Sequence, residues 1–162
     1  ESTMELGLTG RVAIITGPAK GMGAAITTSF AEEGAKLALI GRDVSAIEPV
    51  AREVRAAGAE AIVVACDLTR PEQCDIAADE TRKAFGRIDI LVNVAGGSGP
   101  VGKTGAETTP EEFDDIVTLN MNGCFHTMRS VVPTMIAQKY GKIVNVGGTF
   151  GMRGRAGRMA YS

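Results

Sequence analysis

A continuous apolar run, Val12-Ala13-Ile14-Ile15, leads directly into a glycine-rich turn, Gly17-Pro18-Ala19-Lys20-Gly21-Met22-Gly23. No other feature of the chain limits its fold so strongly. Four consecutive apolar residues suit a strand covered on both faces, which calls for a parallel sheet flanked by helices. The turn must then reverse the chain and open a helix, expected from about Met22 to Glu33 and stopped by Gly34. Glycines at this spacing let backbone N–H groups approach a phosphate closely, and the positive end of the helix stabilises the anion. The spacing Gly17-x-x-x-Gly21-x-Gly23 is one residue wider than the usual dinucleotide fingerprint. Its position directly after a buried first strand still makes it a pyrophosphate site.

The rest of the chain repeats the alternation. Leu37–Ile40 reads as a second strand, followed by a helix from about Val44 to Ala57 that Gly58 closes. Pro49 inside that helix predicts a late start or a kink. Ala61–Ala65 is a third strand, and Pro71 opens a helix at a favourable first-turn position, running to Phe85 before Gly86. Ile88–Val92 reads as the fourth strand and Gly96 to Thr108 as a mobile loop. Thr109-Pro110-Glu111-Glu112 is a capping box that starts a long helix reaching about Gln138. Lys142–Val146 is strand five. Short strands alternating with helices imply right-handed crossovers and a doubly wound α/β fold with helices on both faces of the sheet.

At 162 residues the chain has the length of one domain, expected to cover residues 1–162. The net charge of −2 provides no global field for nucleic acid or an anionic membrane. No apolar run approaches the roughly 20 residues that cross a bilayer. The first residues lack a basic-then-apolar leader pattern, so a cytoplasmic location is expected. Cys66, Cys74 and Cys124 have neither metal nor disulfide spacing and read as free thiols; no metal site is expected. The lone His126 falls in a helix and reads as a packed or partner-facing residue rather than a catalytic one.

Thr16-Gly17-x-x-x-Gly21-x-Gly23 resembles the signature of the short-chain dehydrogenase/reductase family, whose fold is of the Rossmann type. Other family landmarks follow in order. Cys66-Asp67-Leu68 resembles the segment that meets the adenine ring. Asn93-Val94-Ala95-Gly96 resembles the Asn-Asn-Ala-Gly motif, departing at Val94. Leu119-Asn120 resembles the segment with the family's catalytic asparagine, and Ala160-Tyr161-Ser162 the start of its Tyr-x-x-x-Lys motif. The resemblance implies cofactor contacts at Thr16, Gly17, Lys20, Gly21, Met22, Gly23, Gly41, Arg42, Asp67, Leu68, Asn93, Ala95 and Gly96. It also implies that the usual fold continues past Ser162, and that the C-terminal part, with the expected lysine, lies outside this chain.

Cofactor choice follows from charge. At the end of strand two, NAD sites place a carboxylate against the ribose hydroxyls. Here Gly41 and Arg42 stand instead, and a guanidinium grips a 2′-phosphate that a carboxylate would repel. Lys20 adds a second cation, while Asp43 is a counter-charge. NADP(H) is expected in preference to NAD(H).

By resemblance, Tyr161 is the general acid/base and Asn120 organises a water route. The family's serine falls thirteen residues before the tyrosine, at Gly148, so Thr149 is the adjacent hydroxyl available to replace it. The expected activity interconverts an alcohol and a ketone or aldehyde. A catalytically weak nucleotide-binding protein of the same fold, acting as sensor or assembly subunit, is the alternative. Arg153, Arg155 and Arg158 suit either an anionic substrate or a solvated loop. The resemblance further implies a homodimer or homotetramer built on the long helix.

Overall fold

The computed structural model describes residues 6–162. Five strands, β1 (Val12–Thr16), β2 (Lys36–Gly41), β3 (Ala61–Ala65), β4 (Ile90–Asn93) and β5 (Lys142–Asn145), form one parallel sheet in the order β3-β2-β1-β4-β5. The chain winds outward from β1 to β3, then crosses back and winds the other way through β4 and β5. The order reverses between β1 and β4.

Every residue of β1 is buried, because alternate side chains face different helical layers. Ile14 packs with Ala38, Ile40 and Leu91 against α3 (Pro71–Phe85) and α5 (Gly123–Gln138), through Cys74, Ala77, Val131 and Met135. Ala13 and Ile15 point the other way, packing with Leu37, Leu39 and Val92 against α2 (Val44–Ala56), through Ile47, Ala51 and Val54. Ile26 and Phe30 of α1 (Gly21–Glu32) cover that same layer. Truncating one of the central residues to Ala would cost about 2–5 kcal/mol.

Four expectations need correction. Helix α2 neither starts late nor waits for Pro49: Asp43 caps it at Val44, accepting hydrogen bonds from Ala46 N (3.1 Å) and Ser45 Oγ (2.6 Å). Ser45, whose carbonyl Pro49 leaves without a helical partner, lies on the exposed side of the helix. Strand β4 begins at Ile90, not Ile88, because the buried Asp89 is drawn into an ion cluster with two partly exposed arginines. Its carboxylate accepts from Arg87 Nε (2.7 Å), Arg87 Nη2 (2.6 Å) and Val12 N (3.0 Å), with Arg11 at 3.6 Å.

The long helix starts as α4 (Pro110–Val117) under the expected capping box, but a π-helical turn, Thr118–Asn122, separates it from α5. The loop from Gly96 to Thr108 is tethered rather than free. Glu107 accepts from Thr104 N and Oγ1 at 2.7 Å, Lys103 pairs with Glu112, and Gly102 N donates to Gly157 O at 2.9 Å.

Candidate active site

A cleft of about 560 Å³ opens at the carboxyl ends of β1, β2, β3 and β4, where the strand order reverses. Open α/β sheets bind ligands at such a point, since the adjacent loops run apart there. Its wall includes Gly17, Lys20, Gly21, Met22, Gly23, Gly41, Arg42, Asp67, Leu68, Ala95 and Gly96. Thr16 and Asn93 lie beneath it, fully buried. Thr16 Oγ1 accepts from Val94 N (2.9 Å) and Ala95 N (3.0 Å), locking the end of β4 to that of β1. Asn93 Nδ2 donates to Asn145 Oδ1 (2.9 Å), and Asn93 Oδ1 accepts from Thr127 Oγ1 (2.8 Å).

The turn is a backbone cradle. Gly17 has φ +64, and a Cβ there would lie 2.9 Å from Ala95 Cα; a Cβ at Gly23 would overlap Gly17 O. A side chain at Gly17 would push the turn away from the end of β4, and one at Gly23 would push α1 away from the turn, so both glycines keep the cradle closed. Helix α1 begins at Gly21 with Lys20 as N-cap and no capping side chain, which leaves its first N–H groups for an anion. The residues present therefore fit a dinucleotide pyrophosphate.

Arg42 and Lys20 both line the cleft, and no described carboxylate lies within 4.0 Å of either. Asp43 is occupied in capping α2; the Ser45 hydroxyl, then Ala46 N–H, hold its carboxyl below the ordinary range. Burial pushes the Asp67 carboxyl up. Hydrogen bonds from Thr69 Oγ1 (2.8 Å) and N (3.0 Å), with Arg42 and Arg70 nearby, outweigh that and keep it low. Asp67 is thus an anion close to Arg42.

Asn120 lies in the π turn and uses its amide on one backbone unit: Oδ1 accepts from Gly97 N (2.9 Å) and Nδ2 donates to Gly97 O (2.8 Å). A π turn inserts one residue into a helix and is frequent at functional sites. Here it aims Asn120 at the Gly96–Gly97 wall. Tyr161 stands elsewhere, beyond β5, with its hydroxyl 2.7 Å from the Cβ position of Gly148. Position 148 therefore faces the phenol, while Thr149 begins the following 3₁₀ turn, Thr149–Gly151, and is exposed. Asn120, Tyr161 and Thr149 are not part of the cleft wall.

Sequence reasoning missed Ala19, Ile47, Cys66, Val94 and Leu119 as lining residues, while Asp43, read as a counter-charge to Arg42, is on the wall as well. Most adjoin a motif residue, so sequence proximity was the available signal; Ile47 reaches the cleft from α2 and had none. His126 Nδ1 lies 2.8 Å from Leu68 O, a packing role that braces α5 against the Asp67–Leu68 wall. All three cysteines are free, with Cys66 Sγ and Cys74 Sγ 3.9 Å apart. The described residues contain no helix long and apolar enough to cross a membrane, and no cluster of three or more potential metal ligands.

Residues 11–162 match the short chain dehydrogenase family. The chain is 36% identical over 152 residues to an uncharacterised oxidoreductase of Mycobacterium tuberculosis, covering 93% of this chain and 57% of that protein. It is 34% identical over 154 residues to 2,5-dichloro-2,5-cyclohexadiene-1,4-diol dehydrogenase LinX of Sphingobium indicum, covering 95% and 61%. Among solved structures, a metagenomic short-chain oxidoreductase in complex with NADP superposes with TM-score 0.89 at 38% identity, over 95% of this chain and 69% of that one. NAD+-bound xylitol dehydrogenase superposes with TM-score 0.91 at 34% identity, over 95% and 59%. The chain thus spans about three-fifths of the length of these curated relatives. With the parallel sheet, the glycine cradle and the family match in agreement, the chain belongs to the short-chain dehydrogenase family of oxidoreductases.

Proposed function

We propose that the protein is an NADP(H)-dependent oxidoreductase that interconverts an alcohol and a ketone or aldehyde. The observation that carries this reading is the glycine cradle at the reversal of the sheet, with Lys20 and Arg42 on its wall and the carboxylate of Asp43, also on that wall, engaged in capping α2. Two cations with no described carboxylate within 4.0 Å suit a 2′-phosphate, and the metagenomic relative is solved in complex with NADP. Bound nicotinamide would supply or accept the hydride. The chain's own residues do the rest. Tyr161 protonates the carbonyl oxygen in reduction and takes the proton back in oxidation. Asn120 fixes the Gly97 backbone, and Thr149, exposed at the start of the 3₁₀ turn, is the hydroxyl that a one-residue displacement of that loop would bring to the place of Gly148.

The test is binding followed by turnover. NADPH should quench or shift on binding far more tightly than NADH, and a panel of ketones and aldehydes should oxidise it; no response to NADPH in the full-length protein would overturn the reading. A second reading, a nucleotide-binding protein with little turnover, is favoured by Gly148 alone. Tight NADPH binding without turnover of any carbonyl would select it. Assembly as a homodimer or homotetramer is proposed through the helix bearing exposed Met121, Phe125 and Ile136, and light scattering of the full-length protein tests it.

A further inference from the structure

All 19 aspartates and glutamates lie at or before Asp115, so residues 116–162 contain none. That stretch carries Arg129, Lys139, Lys142, Arg153, Arg155 and Arg158. Arg129 is paired with Asp75 of α3 at 2.7 Å. Lys139 and Lys142 stand at the opposite end of the sheet, before and at the start of β5. Arg153, Arg155 and Arg158 share one loop immediately ahead of Tyr161, and no described carboxylate lies within 4.0 Å of any of them.

That loop is held. The Arg155 guanidinium lies over the Phe150 ring, 5.0 Å from its centroid, and Phe150 meets Tyr161 edge-on with centroids 6.1 Å apart. Stacking orients a guanidinium by its face and leaves its N–H fork free. Arg158 is half-buried, and its backbone bridges to Lys103. Beside it Gly157, at φ +69, sits so close that a Cβ would lie 3.0 Å from Gly102 Cα. Lys103 is itself neutralised by Glu112. A loop whose arginines served only solubility would need neither the stacking nor the bracing.

We propose that this loop is an anion site for the substrate. The substrate is an oxo compound, or its alcohol counterpart, that carries a carboxylate or phosphate beyond the reacting carbon. Arg155, with Arg153 and Arg158, holds the anionic group while the carbonyl oxygen meets Tyr161. The inference rests on the oxidoreductase reading above. In reduction the C=O π bond breaks as hydride from the reduced nicotinamide nucleotide forms the C–H bond and the Tyr161 proton forms the O–H bond. The nucleotide is oxidised and the anionic group is unchanged.

Matched pairs test it in the full-length protein with NADPH: pyruvate, acetoacetate and levulinate against their methyl esters, and dihydroxyacetone phosphate against dihydroxyacetone. The last pair separates a phosphate from a carboxylate source. At least one anion should exceed its neutral partner by about tenfold in kcat/KM, the scale of one charge-assisted hydrogen bond. The preference should shrink with salt. In an R153Q/R155Q variant, both positions being exposed, it should vanish, whereas R52Q on α2 should retain it. Absence of preference in every pair, or its survival in R153Q/R155Q, would overturn the proposal. So would a loss of NADPH affinity in that variant with the preference intact, which would assign the arginines to the cofactor. If no carbonyl is turned over, titrating each pair against the fluorescence of bound NADPH decides the matter. Arginine-dependent anion binding would sustain the site and sink the oxidoreductase reading, while equal Kd values would sink the site.

Discussion

The Cβ position of Gly148 and the hydroxyl of Tyr161 are 2.7 Å apart, closer than a carbon and a phenol oxygen pack. Glycine at 148 is therefore what allows the phenol to occupy its present place. Any side chain there must push it back by a few tenths of an ångström. Two effects of a substitution can be separated on this basis. Gly148→Ala adds the displacement alone and should lower kcat. Gly148→Ser adds the same displacement together with a hydroxyl for the substrate oxygen. Serine should exceed alanine by about tenfold or more in kcat, given that one such contact is worth about 10²–10³ in oxyanion-type sites. Equal rates in steady-state assays would mean that another group, Thr149 foremost, already does that work.

Cofactor preference should follow charge at two positions. Arg42→Ala and Lys20→Ala should each weaken NADPH by about tenfold or more while leaving NADH little changed. Calorimetric titration of both nucleotides at two salt concentrations checks this, because the NADPH term should fall with ionic strength. An equal loss for both nucleotides would place these cations elsewhere on the cofactor.

Thr16 should matter to stability before it matters to chemistry. Its hydroxyl oxygen accepts from two backbone N–H groups at the start of the cleft wall. Thr16→Val keeps the shape and strands both donors, at a cost of about 1–3 kcal/mol. Urea unfolding should register that loss. Binding of NADPH should weaken alongside it, since Ala95 is part of the wall.

Asp89 predicts how the fold responds to acid. Burial raises its carboxyl, but the Arg87 hydrogen bonds, the Val12 N–H and the charges of Arg87 and Arg11 prevail and hold it below the ordinary aspartate range. A depressed carboxyl contributes stability that is complete above its unfolded value of about 3.9 and is lost as pH falls through the folded one. Thermal melts should therefore steepen in their decline below about pH 4. Asp89→Asn should flatten that decline and lower stability at pH 7. Asp89→Ala, which leaves the buried Val12 N–H without its acceptor while water reaches the two guanidiniums, should cost about 1–3 kcal/mol.

Strands β1, β2 and β3 and helix α3 were legible because the two buried strands and the half-buried edge strand β3 all read as unbroken apolar runs, and Pro71 and Gly86 punctuate the helix. The beginning of β4 was not. Ile88-Asp89 fits an apolar run locally, and only Arg87 and the distant Arg11 turn Asp89 into an ion cluster. The start of α2 at Val44 was legible, and only the late start suggested by Pro49 was not met, because exposure of Ser45 depends on how the helix lies on the sheet. At the site, the cradle and its two cations could be read from local spacing. The contacts of Asn120 with Gly97 and of Gly148 with Tyr161 join separate segments through their packing, and no pattern in the chain specifies their distance.

The π turn at Thr118–Asn122 bears on how this helix can change over time. One residue more or fewer rotates everything that follows by about 100° in a regular helix. Here that rotation has been absorbed in a single turn, so α4 and α5 keep independent phases. Thr127, Val131 and Met135 stay turned towards the core whatever face α4 presents. The segment from Pro110 to Val117, with the loop that it anchors through Glu112 and Lys103, can therefore be reshaped for a new substrate while the sheet stays packed behind it.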